Sequence, residues 1–206
     1  AVLKNAAEIA DAVALPVTGD LLDGFGTAPE TVAETVRLAA EVGLCGCSIE
    51  DTTGDPDNPL YDRALATERI IAAVEAANSL PHPFVLCARA DALFAGVRDM
   101  PEVLARLKAF ATAGAPLLYA PALMSEAEVA KVLASVEAPI NVLAGIGNPF
   151  TKDTLAALGV RRISVGSALY GNTMGALAAA TDELLGTGTF GWSSRNMAYA
   201  FVQEIM

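Results

Sequence analysis

Apolar and polar positions along the chain switch period repeatedly, from short β-rich runs to longer segments with helical spacing, and the alternation continues to the end. An opening helix is expected from Val2 to Ala14. The runs LPVTGDL, GCSIED, PFVLCARAD, PLLYAPAL, PINVLAGIG and RRISVGSAL read as six strands. Between them TAPETVAETVRLAAEVG, RALATERIIAAVEAANSL, PEVLARLKAFATAGA, SEAEVAKVLASV and TKDTLAALG read as helices, and NTMGALAAATDELLG follows the last strand. Start signals support them: Thr27 leads into Pro29 and Glu30, Ser125 precedes Glu126 and Glu128, and Thr151 precedes Asp153. Gly43, Gly114 and Gly159 stand where C-terminal caps are expected. Strand and helix in regular alternation are the α/β signature, and no linker or low-complexity stretch divides the chain.

Composition narrows this picture. The 206 residues fit one sizeable domain. With 53% apolar, 18% charged and 6% aromatic residues, the chain has material for a core built from Ala, Val, Leu and Ile and lacks the charge-rich signature of disorder. A net charge of -11 argues against nucleic-acid and anionic-membrane partners, both of which require a basic surface. No apolar run approaches the roughly 18 residues of a membrane span, and AVLKNAAEIADAVALP lacks the basic-then-apolar order of a signal peptide. A cytoplasmic location is therefore expected. Cys45, Cys47 and Cys87 lie in apolar stretches and read as reduced core thiols. The single histidine, His82 in LPHPF, reads as a solvated loop residue.

Six βα units leave two architectures, an open doubly wound sheet or an incomplete (β/α)8 barrel. The first strand is not followed by GxGxxG, which removes the dinucleotide-binding version of the open sheet. Charged residues favour the barrel, because Asp20, Glu50 with Asp51, and Arg89 with Asp91 fall at the C-terminal ends of successive strands, where barrel enzymes assemble their sites.

In GDLLDGFG, Asp20 is the metal or base candidate, and Gly24 and Gly26 let backbone approach a ligand. Strand alternation puts Asp20 and Leu22 on one face; Asp23 reads as a turn residue before Gly24. Glu50 and Asp51 open onto a loop rich in Gly, Pro, Asp and Asn, of a kind that can serve as a lid. Asp20 and Glu50 together offer hard oxygen ligands suited to Mg2+ rather than zinc. Arg89 offers a planar fork for a substrate carboxylate or phosphonate. Each charge also has a structural alternative, as a cap, a turn residue or a buried ion-pair partner.

These runs resemble the isocitrate lyase and phosphoenolpyruvate mutase superfamily over essentially the whole chain. The carriers are PVTGDLLDGFG, GLCGCSIED, VLCARADA, APINVLAGIG and LGVRRISVGSALYG, in order and at family-like spacing. The resemblance implies a (β/α)8 barrel, Mg2+, and a small 2-oxo acid or carboxylate substrate whose carbon-carbon or carbon-phosphorus bond is cleaved or formed through an enolate-like species. It also implies a homo-oligomer, a dimer or tetramer, with the last helix exchanged between subunits. By position, Asp20 resembles the metal-binding carboxylate, Glu50 the outer carboxylate that reaches the metal through water, and Arg89 the substrate-binding arginine. Glu50 and Arg89 are thereby the catalytic candidates. Asn58 resembles a polar residue of the gating loop.

Three departures from the family pattern stand out. Leu22 occupies the place of a second carboxylate. The segment after Glu50 lacks the Lys-Lys/Arg-Cys-Gly-His motif of the lyases, which argues against isocitrate and methylisocitrate cleavage; Cys45 and Cys47 precede the strand end and do not replace it. The Trp-Asp of the family's first strand and the Ser-rich loop after its second are not found, and against a barrel of about 250 residues the length implies that the first two βα units lie outside this chain. The expected division is a barrel domain over 1–189 and a C-terminal helical segment over 190–206, whose Phe190, Trp192, Met197, Tyr199, Phe201 and Ile205 suit docking on a partner or on the barrel. Two other readings remain open. One is a catalytically impaired relative that serves as a binding or assembly protein, motivated by Leu22. The other is a phosphate-binding barrel enzyme, motivated by Gly145 to Gly147 and Gly166 near the last strands.

Overall fold

The computed structural model describes residues 1–205; Met206, the last residue of the apolar C-terminal segment, lies outside the described residues. Two compact units are present, Ala1–Ser164 and Val165–Met206.

The first unit carries six parallel strands in sequential order: β1 (Thr18–Asp20), β2 (Gly46–Ile49), β3 (Val85–Arg89), β4 (Leu117–Tyr119), β5 (Ile140–Leu143) and β6 (Arg162–Ser164). Its helices are α1 (Val2–Ala12), α2 (Pro29–Glu41), α3 (Arg63–Asn78), α4 (Met100–Thr112), α5 (Glu126–Leu133) and α6 (Lys152–Leu158). All six expected strands form, each shorter than its expected run. The sheet is strongly curled. Arg162 Nη2 of β6 donates to Thr18 Oγ1 of β1 at 3.3 Å, whereas six strands laid flat would separate these edges by about 24 Å. This is a curled parallel half-barrel, with six strands where a full barrel has eight.

Alternation along the strands sorts the side chains. Cys47, Ile49, Leu86, Ala88, Leu118, Ile140 and Val142 face outward and pack beneath the helices, together with Val32, Val36, Ile70, Val103, Leu107, Phe110, Val129 and Leu155. The inner face carries Cys87, Leu117, Tyr119 and Leu143 as a small separate cluster. Burying each large aliphatic side chain on the outer face stabilises by about 1.5–3 kcal/mol. Burial also pushes the Cys47 and Cys87 thiols up to about 12, so both stay protonated. Cys45 corrects the expectation of three core thiols: it precedes β2 and is exposed.

Caps set the helix limits. Ser125 Oγ accepts from Glu128 N–H, Thr151 and Thr154 form a reciprocal capping box, and Gly159 ends α6 in the left-handed region at φ 99°. Thr27 does not cap α2; Ala28 takes that position with no side-chain bond. Asp62 and Asp99 cap α3 and α4 by accepting from Ala64 N–H and Glu102 N–H.

The second unit begins with α7 (Ala168–Gly186), continues through a 3-10 turn (Gly191–Arg195) and ends in α8 (Tyr199–Ile205). The expected strand RRISVGSAL stops at Ser164, and Gly166, at φ 51°, lies between it and α7. Within this unit Glu183 Oε1 accepts from Thr189 Oγ1 at 2.7 Å and from Gly191 N–H at 2.6 Å. Large apolar side chains of α7, Leu169, Tyr170, Leu177 and Leu185 among them, are exposed.

Candidate active site

Parallel pairing places the C-terminal ends of β1, β2 and β3 side by side. Asp20 is in register with Ser48, Ser48 with Cys87, and Arg89, two residues on, with Tyr119. The three charged strand ends recognised in the sequence therefore converge, and Arg89 is their centre. Its Nη1 lies 2.9 Å from Asp20 Oδ2 and 2.9 Å from Glu50 Oε1. Its Nη2 and Nε donate to Asp91 Oδ1 at 2.7 Å and Oδ2 at 3.3 Å, a two-point contact on the opposite side of the guanidinium. The Tyr119 ring lies beneath, 5.1 Å from the guanidinium carbon. Burial works to lower the Arg89 pKa, but Asp91, Glu50 and Asp20 together outweigh it and the net shift is upward. Arg89 stays charged at every pH at which the fold persists.

The carboxylates differ in environment. The Asp20 side chain is 59% exposed and that of Glu50 13%. Ser48 Oγ donates to Asp20 Oδ1 at 3.0 Å and Thr52 Oγ1 donates to Glu50 Oε2 at 2.8 Å, so each is aimed by a neighbouring hydroxyl. Asp91 is fully buried, and burial lifts its pKa to about 7 against the opposing pull of Arg89. Behind it runs a chain of alternating charge. Asp91 N–H donates to Asp51 Oδ1 at 2.8 Å, Asp51 Oδ2 pairs with Arg106 Nη1 at 2.9 Å, Arg106 Nε with Glu102 Oε1 at 2.9 Å, and Glu102 Oε2 with Arg63 Nη1 at 3.0 Å. Asp51, adjacent to Glu50 in sequence, is thus a buried structural partner of α4.

The turn after Asp20 departs from simple alternation. β1 ends at Asp20, Leu21 enters the core, and Leu22 adopts φ 53° and is 55% exposed. Its carbonyl accepts from Glu50 N–H at 2.8 Å, which joins the two strand ends through backbone. Asp23 is a turn residue: its carboxylate accepts from Phe25 N–H at 2.9 Å and from the Tyr61 hydroxyl at 3.1 Å. The loop after Glu50 is pinned by a Thr52–Leu60 bridge and by Thr53 N–H to the Pro59 carbonyl at 3.0 Å. Asn58 sits exposed in that loop, its carbonyl accepting from Thr53 Oγ1, and makes no hydrogen bond to Arg89. Gly145 and Gly147, at φ 78° and 86°, serve the turn after β5.

The Asp20 and Glu50 oxygens each lie 2.9 Å from the same nitrogen, so they are no further apart than twice that distance, on either side of a cationic group. Two converging carboxylates fit Mg2+, which typically keeps several waters and binds through one or two carboxylates. Among the described residues no group of three or more His, Cys, Asp or Glu is placed to hold a metal ion. Sequence reasoning missed Arg69, Tyr61 and Arg106, which shape the site from behind. Their signal is position: Arg69 stands three residues after Ala66 and four before Ala73, and Arg106 three after Val103 and four before Phe110, in line with buried residues.

Comparison with known proteins identifies the family. The family model for phosphoenolpyruvate phosphomutase matches residues 1–185. A Corynebacterium glutamicum protein named probable 2-methylisocitrate lyase 2 is 35% identical over 145 residues, 68% of this chain and 46% of that protein. The chain spans about half the length of that relative. The crystal structure of a "putative lyase/mutase" from Burkholderia cenocepacia J2315 is 46% identical with a TM-score of 0.96, covering 98% of this chain and 73% of the other. Phosphonopyruvate hydrolase, solved with oxalate and Mg2+, shares the fold at 23% identity and a TM-score of 0.82 over 98% of this chain and 72% of its own. The chain belongs to the phosphoenolpyruvate mutase/isocitrate lyase superfamily of lyases and mutases.

Proposed function

We propose that the chain carries the metal-binding and catalytic face of a Mg2+-dependent lyase or mutase acting on a small 2-oxo carboxylate or phosphonate, with carbon-carbon or carbon-phosphorus cleavage through an enolate-like species. The observation that carries this reading is the convergence of Asp20 and Glu50 on one Arg89 nitrogen. Asp20 and Glu50 would hold the cation, which supplies Lewis-acid stabilisation of the negative charge that develops on the substrate oxygen. Arg89 would bind the substrate anion. Its Nη1 is engaged by Asp20 and Glu50, and its Nη2 and Nε by Asp91. Were Asp20 and Glu50 to hold a cation, Arg89 Nη1 would be available to a carboxylate or phosphonate, while Asp91 would still fix the plane of the fork. Ser48 and Thr52 hold the two carboxylates in place. The phosphonopyruvate hydrolase bound to oxalate and Mg2+ supports the choice of ion and ligand class.

The partners of this reading are a small-molecule carboxylate and further copies of the same chain in a dimer or tetramer, with neither nucleic acid nor membrane. The test is purified protein with oxaloacetate and with phosphonopyruvate, with and without Mg2+, beside calorimetric titration of Mg2+ and oxalate. Metal-dependent turnover, and mutually dependent binding that Asp20→Ala abolishes, is the expected result. Leu22 favours a second reading, a relative that keeps the fold and binds without turnover. Binding of Mg2+ and oxalate with no turnover of either substrate would select it.

A further inference from the structure

The turn that follows Asp20 is held in a conformation its residues disfavour. Leu22, Gly24 and Phe25 have φ of 53°, 80° and 63°. For leucine and phenylalanine the left-handed region costs roughly 1–2 kcal/mol each, and burial does not offset it, since both side chains are substantially exposed. Other residues hold the turn. Arg69 of α3 is fully buried, and its guanidinium donates to three carbonyls of this one segment: Nη2 to Asp23, Nη1 to Gly26, and Nη1 to Thr27 at 2.8 Å. The same guanidinium lies 4.1 Å over the Tyr61 ring, and the Tyr61 hydroxyl donates to Asp23 Oδ2 at 3.1 Å. Thr35 Oγ1 of α2 donates to the Gly24 carbonyl at 2.8 Å. Burying a guanidinium costs several kcal/mol, and here its hydrogen bonds go to main-chain acceptors of one short turn.

That turn joins both strand ends of the site. Asp20 immediately precedes it, and the Leu22 carbonyl accepts from Glu50 N–H. Tyr61, which closes the loop after Glu50, donates its own N–H to the Asp51 carbonyl at 2.9 Å. We propose that Arg69, with Tyr61 stacked on it, is a positioning residue that fixes the relative placement of the Asp20 and Glu50 carboxylates by clamping the Leu22–Thr27 turn. The proposal rests on the reading that these two carboxylates hold the cation. Strained backbone persists where surrounding structure over-determines it, and small misplacements of ligand-bearing loops cost affinity because the site is no longer preformed.

The experiment compares the full chain with Arg69→Lys and Tyr61→Phe. Tyr61→Phe keeps the ring and the stack, so it remains informative if Arg69→Lys does not fold. Two quantities are read: amide hydrogen exchange at Gly24 and Phe25, whose N–H groups donate to the Leu21 carbonyl and Asp23 Oδ1 at 2.9 Å, and calorimetric affinity for Mg2+ with oxalate well below the melting range. Exchange at these two amides is expected to rise about tenfold or more while Leu86 and Ala88 of β3 are unchanged. Affinity is expected to fall about tenfold, less for Tyr61→Phe, as when a residue orienting metal ligands is removed. Faster exchange that is no greater at Gly24 and Phe25 than in β3 overturns the clamp. Selective exchange with unchanged affinity overturns the positioning role and leaves packing alone. A wild-type chain that binds neither Mg2+ nor oxalate overturns the metal reading, and the clamp is then decided by the exchange rates.

Discussion

Leu22→Asp is the substitution that most directly probes the ion-binding reading. The leucine is half-exposed and in the left-handed region, so replacing it empties no core and places a residue that tolerates φ 53° better than a branched apolar one. A unit charge 4 Å from another gains about 1 kcal/mol in water. For a divalent cation the gain doubles, and at the roughly 6–8 Å expected between neighbouring strand-end groups it returns to about 1–2 kcal/mol, or about five- to thirtyfold in affinity. The new carboxylate also repels Asp20 and Glu50 when no cation is present, but exposure and salt screen that repulsion. Thermal stability should therefore change little while Mg2+ affinity rises. Calorimetric titration at fixed oxalate measures the affinity, and Leu22→Asn, with nearly the same shape and no charge, should give no gain. An Asp variant that melts like the wild type yet binds Mg2+ no more tightly would place position 22 outside the ion's reach and refute the reasoning.

Two further outcomes follow from the buried network. Arg106→Met leaves Asp51 as an uncompensated buried carboxylate and should lower unfolding stability by about 3–5 kcal/mol in urea titration, most of it recovered by adding Asp51→Leu; a loss below about 1 kcal/mol would contradict the pairing. For Asp91 the sign follows from burial: its pKa in the fold, about 7, stands above the ordinary 3.8, so its contribution to stability is present at acid pH and lost as pH rises through 7. The stability of wild type relative to Asp91→Asn should then fall between pH 4 and 8, by up to about 4 kcal/mol, and a difference flat with pH would mean that Arg89 keeps Asp91 ionised throughout.

The strand-end charges were legible in the sequence because buried parallel strands otherwise exclude them, so Asp20, Glu50 and Arg89 stood out against Val, Leu and Ile. The six-strand order and most helix limits followed from periodicity and capping residues such as Ser125 and Thr151. The partners of Arg89 were less visible. As a strand-end arginine it offered either a fork for a substrate or a buried ion-pair partner; Asp91 stands in its own segment, but its contacts to Asp20 and Glu50 are a fact of strand register that no single segment contains. Arg69 and Arg106 look like polar-face residues when read by type, and only their spacing to Ala66, Ala73, Val103 and Phe110 puts them inward. Leu22 was expected to continue the strand with its side chain beside Asp20. The left-handed turn that it begins depends on Arg69, 47 positions away in sequence, and local propensity could not reveal it.

The charges around Arg89 do not balance by themselves. Three ionised carboxylates, Asp20, Glu50 and Asp91, face one guanidinium, in a chain already at -11. Two processes relieve the excess: a proton on Asp91, which burial favours near neutrality, or a cation between Asp20 and Glu50. They oppose each other. With Asp20 and Glu50 drawn to a cation, Arg89 has only Asp91 left as an anionic partner, and both that freed guanidinium and the new positive charge favour the ionised form of Asp91. Uptake of Mg2+ at pH 7 should therefore release protons, up to about half a proton per ion for a group whose pKa begins near 7. Calorimetry in buffers of different ionisation enthalpy measures the release directly. Asp91→Asn should bind Mg2+ without it; equal proton release by wild type and variant would show that Asp91 is not coupled to the cation site, and that Arg89 is balanced by some other route.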